Sequence, residues 1–284
     1  MKIRNVKLPE GINVSRHSPV ADLLILSAGA VMLFLALGAA ALFAGAALGR
    51  HMPVEWENAL VSGVLGGEAA EADVPGSPEQ AALQDLADRL LRHMDIPDGL
   101  EITVHYLESD EVNAFATLGG HIFVFRGLLS RMPDENALAM VLAHEIAHAA
   151  NRDPAAALGG TLLLRLILSA VSSSSAESLD DLIDGPNALL VLSFGRDAER
   201  QADGDALRAI AREYGHVAGA ATIFEVFLEE VRGNPLGEPP ELLNTHPLSQ
   251  DRIDALRALA RDKEWQSEGE TAPLPDALAA LRGQ

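Results

Sequence analysis

The chain has 284 residues, no cysteine and a formal net charge of -20 at pH 7. That charge argues against nucleic acid as a partner, and the missing thiols exclude disulfides and cysteine-ligated metals, so any metal must be held by histidine and carboxylate. A hydrophobic share of 48% with 4% aromatic residues suits a helix-rich globule with a substantial core.

The first 22 residues carry Lys2, Arg4, Lys7 and Arg16. Leu23 to Gly49 then runs for 27 residues without a charge. As a helix this is about 40 Å long, more than the roughly 30 Å hydrocarbon core of a bilayer. A secretory signal has an apolar region of only about 7 to 15 residues. Residues 23–49 therefore read as an uncleaved transmembrane anchor, although Ala44-Gly45-Ala46 resembles a cleavage site. Positive charge precedes the run, and Arg50 is soon followed by Glu55 and Glu57. This bias places residues 1–22 in the cytoplasm and the rest on the periplasmic or extracytoplasmic side of the inner membrane. Ala41, Gly45 and Gly49 recur every four residues and offer a surface for self-association of two anchors.

Residues 50–77 read as a linker, most clearly from Gly63 to Ser77, and 78–284 as the folded domain beyond it. Gln80 to Met94 has the apolar stripe of a helix. Ile102–Leu107, Val112–Thr117 and His121–Phe125, the last set off by Gly119-Gly120, predict three short strands forming one wall of a cleft. The cleft floor is the helix that follows. Pro133 and Asp134 start it, Asn151 and Pro154 stop it, and Asn136 to Ala143 is almost wholly apolar.

That helix carries His144-Glu145-Ile146-Ala147-His148. Spacing of four puts both imidazoles on one face with Glu145 beside them, the arrangement of a zinc site with an adjacent base. A surface helix would carry charges, yet from Ala137 to Ala150 the only polar side chains are these three. Buried, they require partners, which zinc supplies.

Leu158 to Val171 is apolar apart from Arg165, and reads as a core helix or one lying against the membrane. Ser172 to Ser175 is a flexible connection. Helices are expected over Pro186–Tyr214, His216–Val231, Ser249–Arg261 and Asp276–Leu281. A catalytic zinc keeps one position for water, so a third protein ligand is needed. Asp180, Asp181 and Asp184 lie in a loop-like stretch. Glu199 and Asp203 lie four apart on a helix and suit a ligand and a carboxylate supporting a ligand histidine. An ordinary solvated face around Arg196 to Arg200 remains open on spacing alone. His246, before Pro247, sits in a turn.

Four blocks resemble the membrane-associated zinc metallopeptidases of the HtpX and CAAX prenyl protease type, in a single-anchor form: NAFATLGGHIFVFRGLL from Asn113, HEIAH, RDAERQAD from Arg196 and THPLSQDRI from Thr245. The resemblance implies a mostly helical α+β domain of zincin-like (gluzincin) fold with a small three-stranded sheet, preceded by one transmembrane helix. It implies one zinc on His144, His148 and Glu199; beside them Asp203 is read as the support of a ligand histidine and Arg252 as fixing the His246 segment through a nearby carboxylate. Asn113, Ala114, Phe115 and Gly120 would line the substrate cleft. His246 would lie near the metal, donating to the oxyanion or else binding zinc and holding the resting enzyme off; the donor is the role expected. His93, His105, His121 and His216 read as structural.

The resulting expectation is an endopeptidase with Glu145 as base, acting on loosely folded or misassembled polypeptides at the membrane surface. The alternative is a membrane-anchored, chaperone-like binding module that cleaves little.

Overall fold

The computed structural model describes residues 19–64, 73–172, 194–233 and 240–282. Their order is α1 (Pro19–Arg50), α2 (Val54–Val64), α3 (Pro78–Leu91), β1 (Thr103–Leu107), β2 (Ala114–Ala116), β3 (His121–Phe125), α4 (Arg126–Leu129), α5 (Glu135–Ala150) and α6 (Asp153–Ser172). Then come α7 (Arg196–Tyr214), α8 (Thr222–Gly233), α9 (Glu241–Thr245), α10 (Gln250–Asp262) and α11 (Asp276–Ala279). The class is the expected one, mostly helical α+β with a three-stranded sheet.

Helix α1 contains the whole uncharged run and, among the described residues, is the helix long and apolar enough to cross a membrane. Its basic N-terminal flank lies outside the described residues. Most of its side chains are exposed, but Ala41, Gly45 and Gly49 are buried. What covers them is α6 of the same chain. A Cβ at Gly45 would lie 2.2 Å from the Gly159 carbonyl oxygen, and one at Gly49 would lie 2.0 Å from that of Ala155. Small residues let the two backbones touch, so the face the sequence offers to a second anchor is filled internally.

The stretch expected as a linker holds α2, which is docked. Val61 packs with Leu118, Ala155 and Leu158. Glu57 is buried, accepts from Gly119 N–H at 2.8 Å, and pairs with Arg152. Residues 65–72 lie outside the described chain, and Asp73 then bridges to Leu107. Ser77 caps α3 by accepting from Gln80 N–H, and Leu83, Leu86 and Leu90 turn inward.

The strand order is β1-β3-β2, with β1 parallel and β2 antiparallel to β3. One face, with Val104, Tyr106, Ile122 and Val124, joins the main core. The other gathers Leu107, Phe115, Phe123 and Phe125. Strand β2 is therefore an edge, and α5 lies against it. Asp134 caps α5 at Ala137 N–H, and Glu135 to Ala149 are all buried. A helix packed on every side needs no polar face, which accounts for its apolar composition.

Helix α7 is described from Arg196, so residues 186–193 of the predicted helix fall outside the described chain, as do Asp180, Asp181, Asp184 and Ser173 to Ser175. It ends at Gly215 in the left-handed region. Helix α8 starts later than predicted because the chain turns through Gly219 at φ 83° while Val217 N–H bonds Gln266 O at 2.8 Å.

Candidate metal centre

Five elements meet at one buried point. Helix α5 brings His144, Glu145 and His148, α7 brings Glu199 and Asp203, and the residue closing α9 is His246. The first turn of α6 adds Asp153, and α10 adds Arg252. His144, His148, Glu199 and His246 each offer one ligand atom, all within 4.8 Å of one another. His144 Nε2 lies 3.0 Å from His148 Nε2 and 3.3 Å from His246 Nδ1. Glu199 Oε1 lies 3.4 Å from His148 Nε2 and 3.1 Å from His246 Nδ1.

These atoms fit a cation better than each other. Asp203 Oδ1 stands 3.1 Å from His144 Nδ1, and Asp153 Oδ2 2.9 Å from His148 Nδ1. Asp153 accepts the Nδ1 proton of His148 and Asp203 faces His144 Nδ1 as an ion-pair neighbour, so both Nε2 atoms turn toward the same point. Two facing lone pairs repel unless a proton or a metal lies between them. Three imidazoles and a carboxylate are the donor set of a borderline metal such as zinc.

The electrostatics agree. Burial resists charge on His144, but Asp203 and Glu199 overcome it and push its pKa up to about 10. His148 is raised against burial in the same way by Asp153 and Glu199. Glu199 and Asp203 both resist the upward push of burial and are held below the usual carboxylate range, chiefly by the neighbouring His144. The carboxylates of the site thus favour positive charge at its centre. Arg252 supplies part of it from behind, pairing with Glu199 Oε2 at 2.7 Å, clasping Asp203 through Nε and Nη2 at 2.9 and 2.8 Å, and donating to Pro247 O at 3.1 Å. One guanidinium thereby steadies Glu199, the support of His144 and the turn that carries His246.

Glu145 is fully buried next to this cluster. Its Oε2 accepts from Ala116 N–H at 2.9 Å, while its Oε1 has no hydrogen-bond partner and faces His246 Nε2, likewise unpartnered, at 3.4 Å. Ala116 N–H belongs to the free edge of β2, since Asn113 O and Thr117 N–H are the groups that bond across to β3. The carboxylate beside the ligands therefore touches the edge an extended chain would join.

The cleft residues separate on inspection. Ala114 lies on that edge, and Asn113 at its start is buried, with its Nδ2 donating to Glu111. Phe115 turns its ring to the far face of the sheet, stacking on Phe123 with centroids 5.1 Å apart, and its backbone pairs with β3, so neither faces the site. Gly120 is not at the centre: a Cβ there would meet the Glu101 carbonyl at 2.2 Å, beside β1. Two contributors escaped the sequence reading, Asp153 and Phe194, whose ring stacks on His148 at 4.3 Å between centroids.

A gluzincin-like helical domain with paired helix histidines, a carboxylate from a second helix and a buried glutamate beside them defines a metallopeptidase centre. Residues 77–260 match the sequence profile of Peptidase family M48, and the chain belongs to that family. It is similar to the Beta-barrel assembly-enhancing protease of Escherichia coli (strain K12), with 28% identity over 60% of this chain and 37% of that protein. It is similar also to the mitochondrial metalloendopeptidase OMA1 of Danio rerio, with 31% identity over 59% of this chain and 38% of that protein, and to its Homo sapiens counterpart at 27%. The match spans little more than one third of the length of these relatives.

Proposed function

We propose that the chain is a membrane-anchored, zinc-dependent endopeptidase that cleaves loosely folded or misassembled polypeptides beside the membrane. The observation that carries this reading is the convergence of His144, His148, Glu199 and His246 on one buried point with the Glu145 carboxylate alongside. Zinc, when bound, supplies polarisation of the scissile carbonyl and a water of pKa about 7. Glu145 takes the proton of the attacking water and returns it to the leaving amine. Asp153 and Asp203 keep both imidazoles aimed, and Arg252 steadies Glu199 by pairing with it. An extended substrate adds to the edge of β2, where main-chain bonds give affinity with little sequence preference.

In this reading the peptidase domain begins near residue 78, α2 docks on it, and α1 anchors it in the inner membrane on the extracytoplasmic side, as the charge bias supports. Buried Glu145 disfavours the chaperone-like alternative, because a binding module has no use for an unpaired carboxylate oxygen. The distances favour His246 as a fourth donor in the resting site over the oxyanion donor expected from sequence, since its Nδ1 stands among the ligand atoms.

The test is degradation of casein by the full-length protein with and without chelator, beside Glu145→Gln. Chelation should abolish cleavage and zinc restore it, and the variant should hold zinc yet lose at least about 100-fold in rate. Full activity in the variant, or no zinc in the native protein, overturns the proposal.

A further inference from the structure

We infer that α6 is a second lipid-embedded helix, entering the bilayer alongside α1; this rests on the reading of α1 as a membrane anchor. The argument is geometric. Helix α6 runs antiparallel to α1 in direct backbone contact: Gly49 meets Ala155, Gly45 meets Gly159, and Gly38 meets Leu164. Gly38 stands 11 residues before Gly49, about 16 Å further along the helix. A bilayer that surrounds α1 over that length surrounds Leu164 too.

The composition of α6 agrees with that depth. Its 20 residues make about 30 Å of helix, close to the thickness of a hydrocarbon core. The helix starts at Asp153, five residues before the apolar run that opens at Leu158. Leu166 and Leu168 are 51% and 38% exposed, continuing the exposed surface of α1 at Leu33, Leu35 and Leu37. In water this would be a large apolar face that no described residue covers, and acyl chains are the occupant continuous with the anchor. Beyond Asp153 the one charge on α6 is Arg165, which is partly buried and has an interaction partner. Arg50, at the end of α1, lies 3.6 Å from Asp153 at the start of α6, marking the level where both helices leave the bilayer. Asp153 also holds His148, so the metal centre lies at the membrane face.

The absence of cysteine makes the test direct. Single cysteines replace Thr161, Leu166 and Leu168 on α6, Leu26 on α1, and Lys263 as an aqueous reference, in the full-length chain reconstituted in phospholipid vesicles. All five positions are exposed, so a thiol there removes no packing. A membrane-impermeant maleimide should label Lys263→Cys quickly and the other four more than about tenfold more slowly, until denaturation in SDS. Reaction of the α6 thiols at the Lys263→Cys rate with Leu26→Cys still protected overturns the inference and leaves the anchor standing. Fast reaction of Leu26→Cys as well removes the anchor and this inference together.

Discussion

His148 Nδ1 lies 2.9 Å from Asp153 Oδ2, across the turn that joins the metal-binding helix to the helix packed on the anchor. Both groups are buried, and Arg152 makes the turn between them at φ 60°. The carboxylate fixes which nitrogen carries the proton and leaves Nε2 free to bind. Such partners commonly contribute 10- to 100-fold in metal affinity, about the range expected to be lost in Asp153→Asn. Competition against a chromogenic chelator measures it. Unchanged affinity would mean that Phe194 and the helix alone orient the ring.

The pKa shifts set a pH dependence whose sign differs between metal-free and loaded protein. His144 is raised to about 10, so in metal-free protein its contribution to stability is complete below the unfolded value of about 6.5 and fades as pH rises toward 10. Asp203 and Glu199 are lowered, so theirs is present above about pH 4 and is lost on acidification. Metal needs the imidazoles unprotonated, and protons compete with it. The rise in melting temperature on adding zinc should therefore grow steadily from pH 5.5 to pH 8.5, read by differential scanning fluorimetry. A shift independent of pH would show that the imidazoles are not the ligands.

Glu57 is a stability determinant in a stretch whose composition reads as linker. It is 2% exposed, accepts from Gly119 N–H and pairs with Arg152. Removing one member of a buried pair strands the other, at a cost of about 3 to 5 kcal/mol. Glu57→Ala should lower the urea midpoint of the detergent-solubilised protein accordingly, and Glu57→Gln, which can still accept, should lower it less. Equal midpoints for all three would make the pair dispensable.

What the sequence discloses follows the range of the interactions involved. Asp134 as cap, the i, i+4 histidines and the apolar run of α5 are local, and each was readable from neighbours in the chain. Glu199 reaches the two histidines only because α7 packs on α5, which spacing within α7 could not decide without the family resemblance. Asp153 was hidden by a rule correctly applied: Asn151 and Pro154 stop α5, but proline is equally at home in the first turn of a helix, and here the stop of α5 is the start of α6. Glu57 depends on Gly119 and Arg152, both far away in sequence. Gly120 misled through adjacency, since the two glycines serve different neighbours, Glu57 and Glu101.

His246 stands among the candidate ligand atoms. Its Nδ1 is 3.1 Å from Glu199 Oε1 and 3.3 Å from His144 Nε2, and its Nε2 is 3.4 Å from Glu145 Oε1. A tetrahedral metal held by all four of His144, His148, Glu199 and His246 would have no position left for water, and a catalytic site must keep one. Turnover then requires His246 to withdraw, and the turn that holds it depends on Arg252 donating to Pro247 O. Removing the imidazole by His246→Ala should open the fourth position, with casein cleavage kept or raised several-fold and metal affinity lowered by about 10-fold. An oxyanion donor in the same place predicts the reverse, with metal affinity unchanged and kcat reduced by about 100- to 1,000-fold. Measuring kcat and zinc affinity on the same preparation separates the two, and a large fall in kcat with full affinity would return His246 to the donor role.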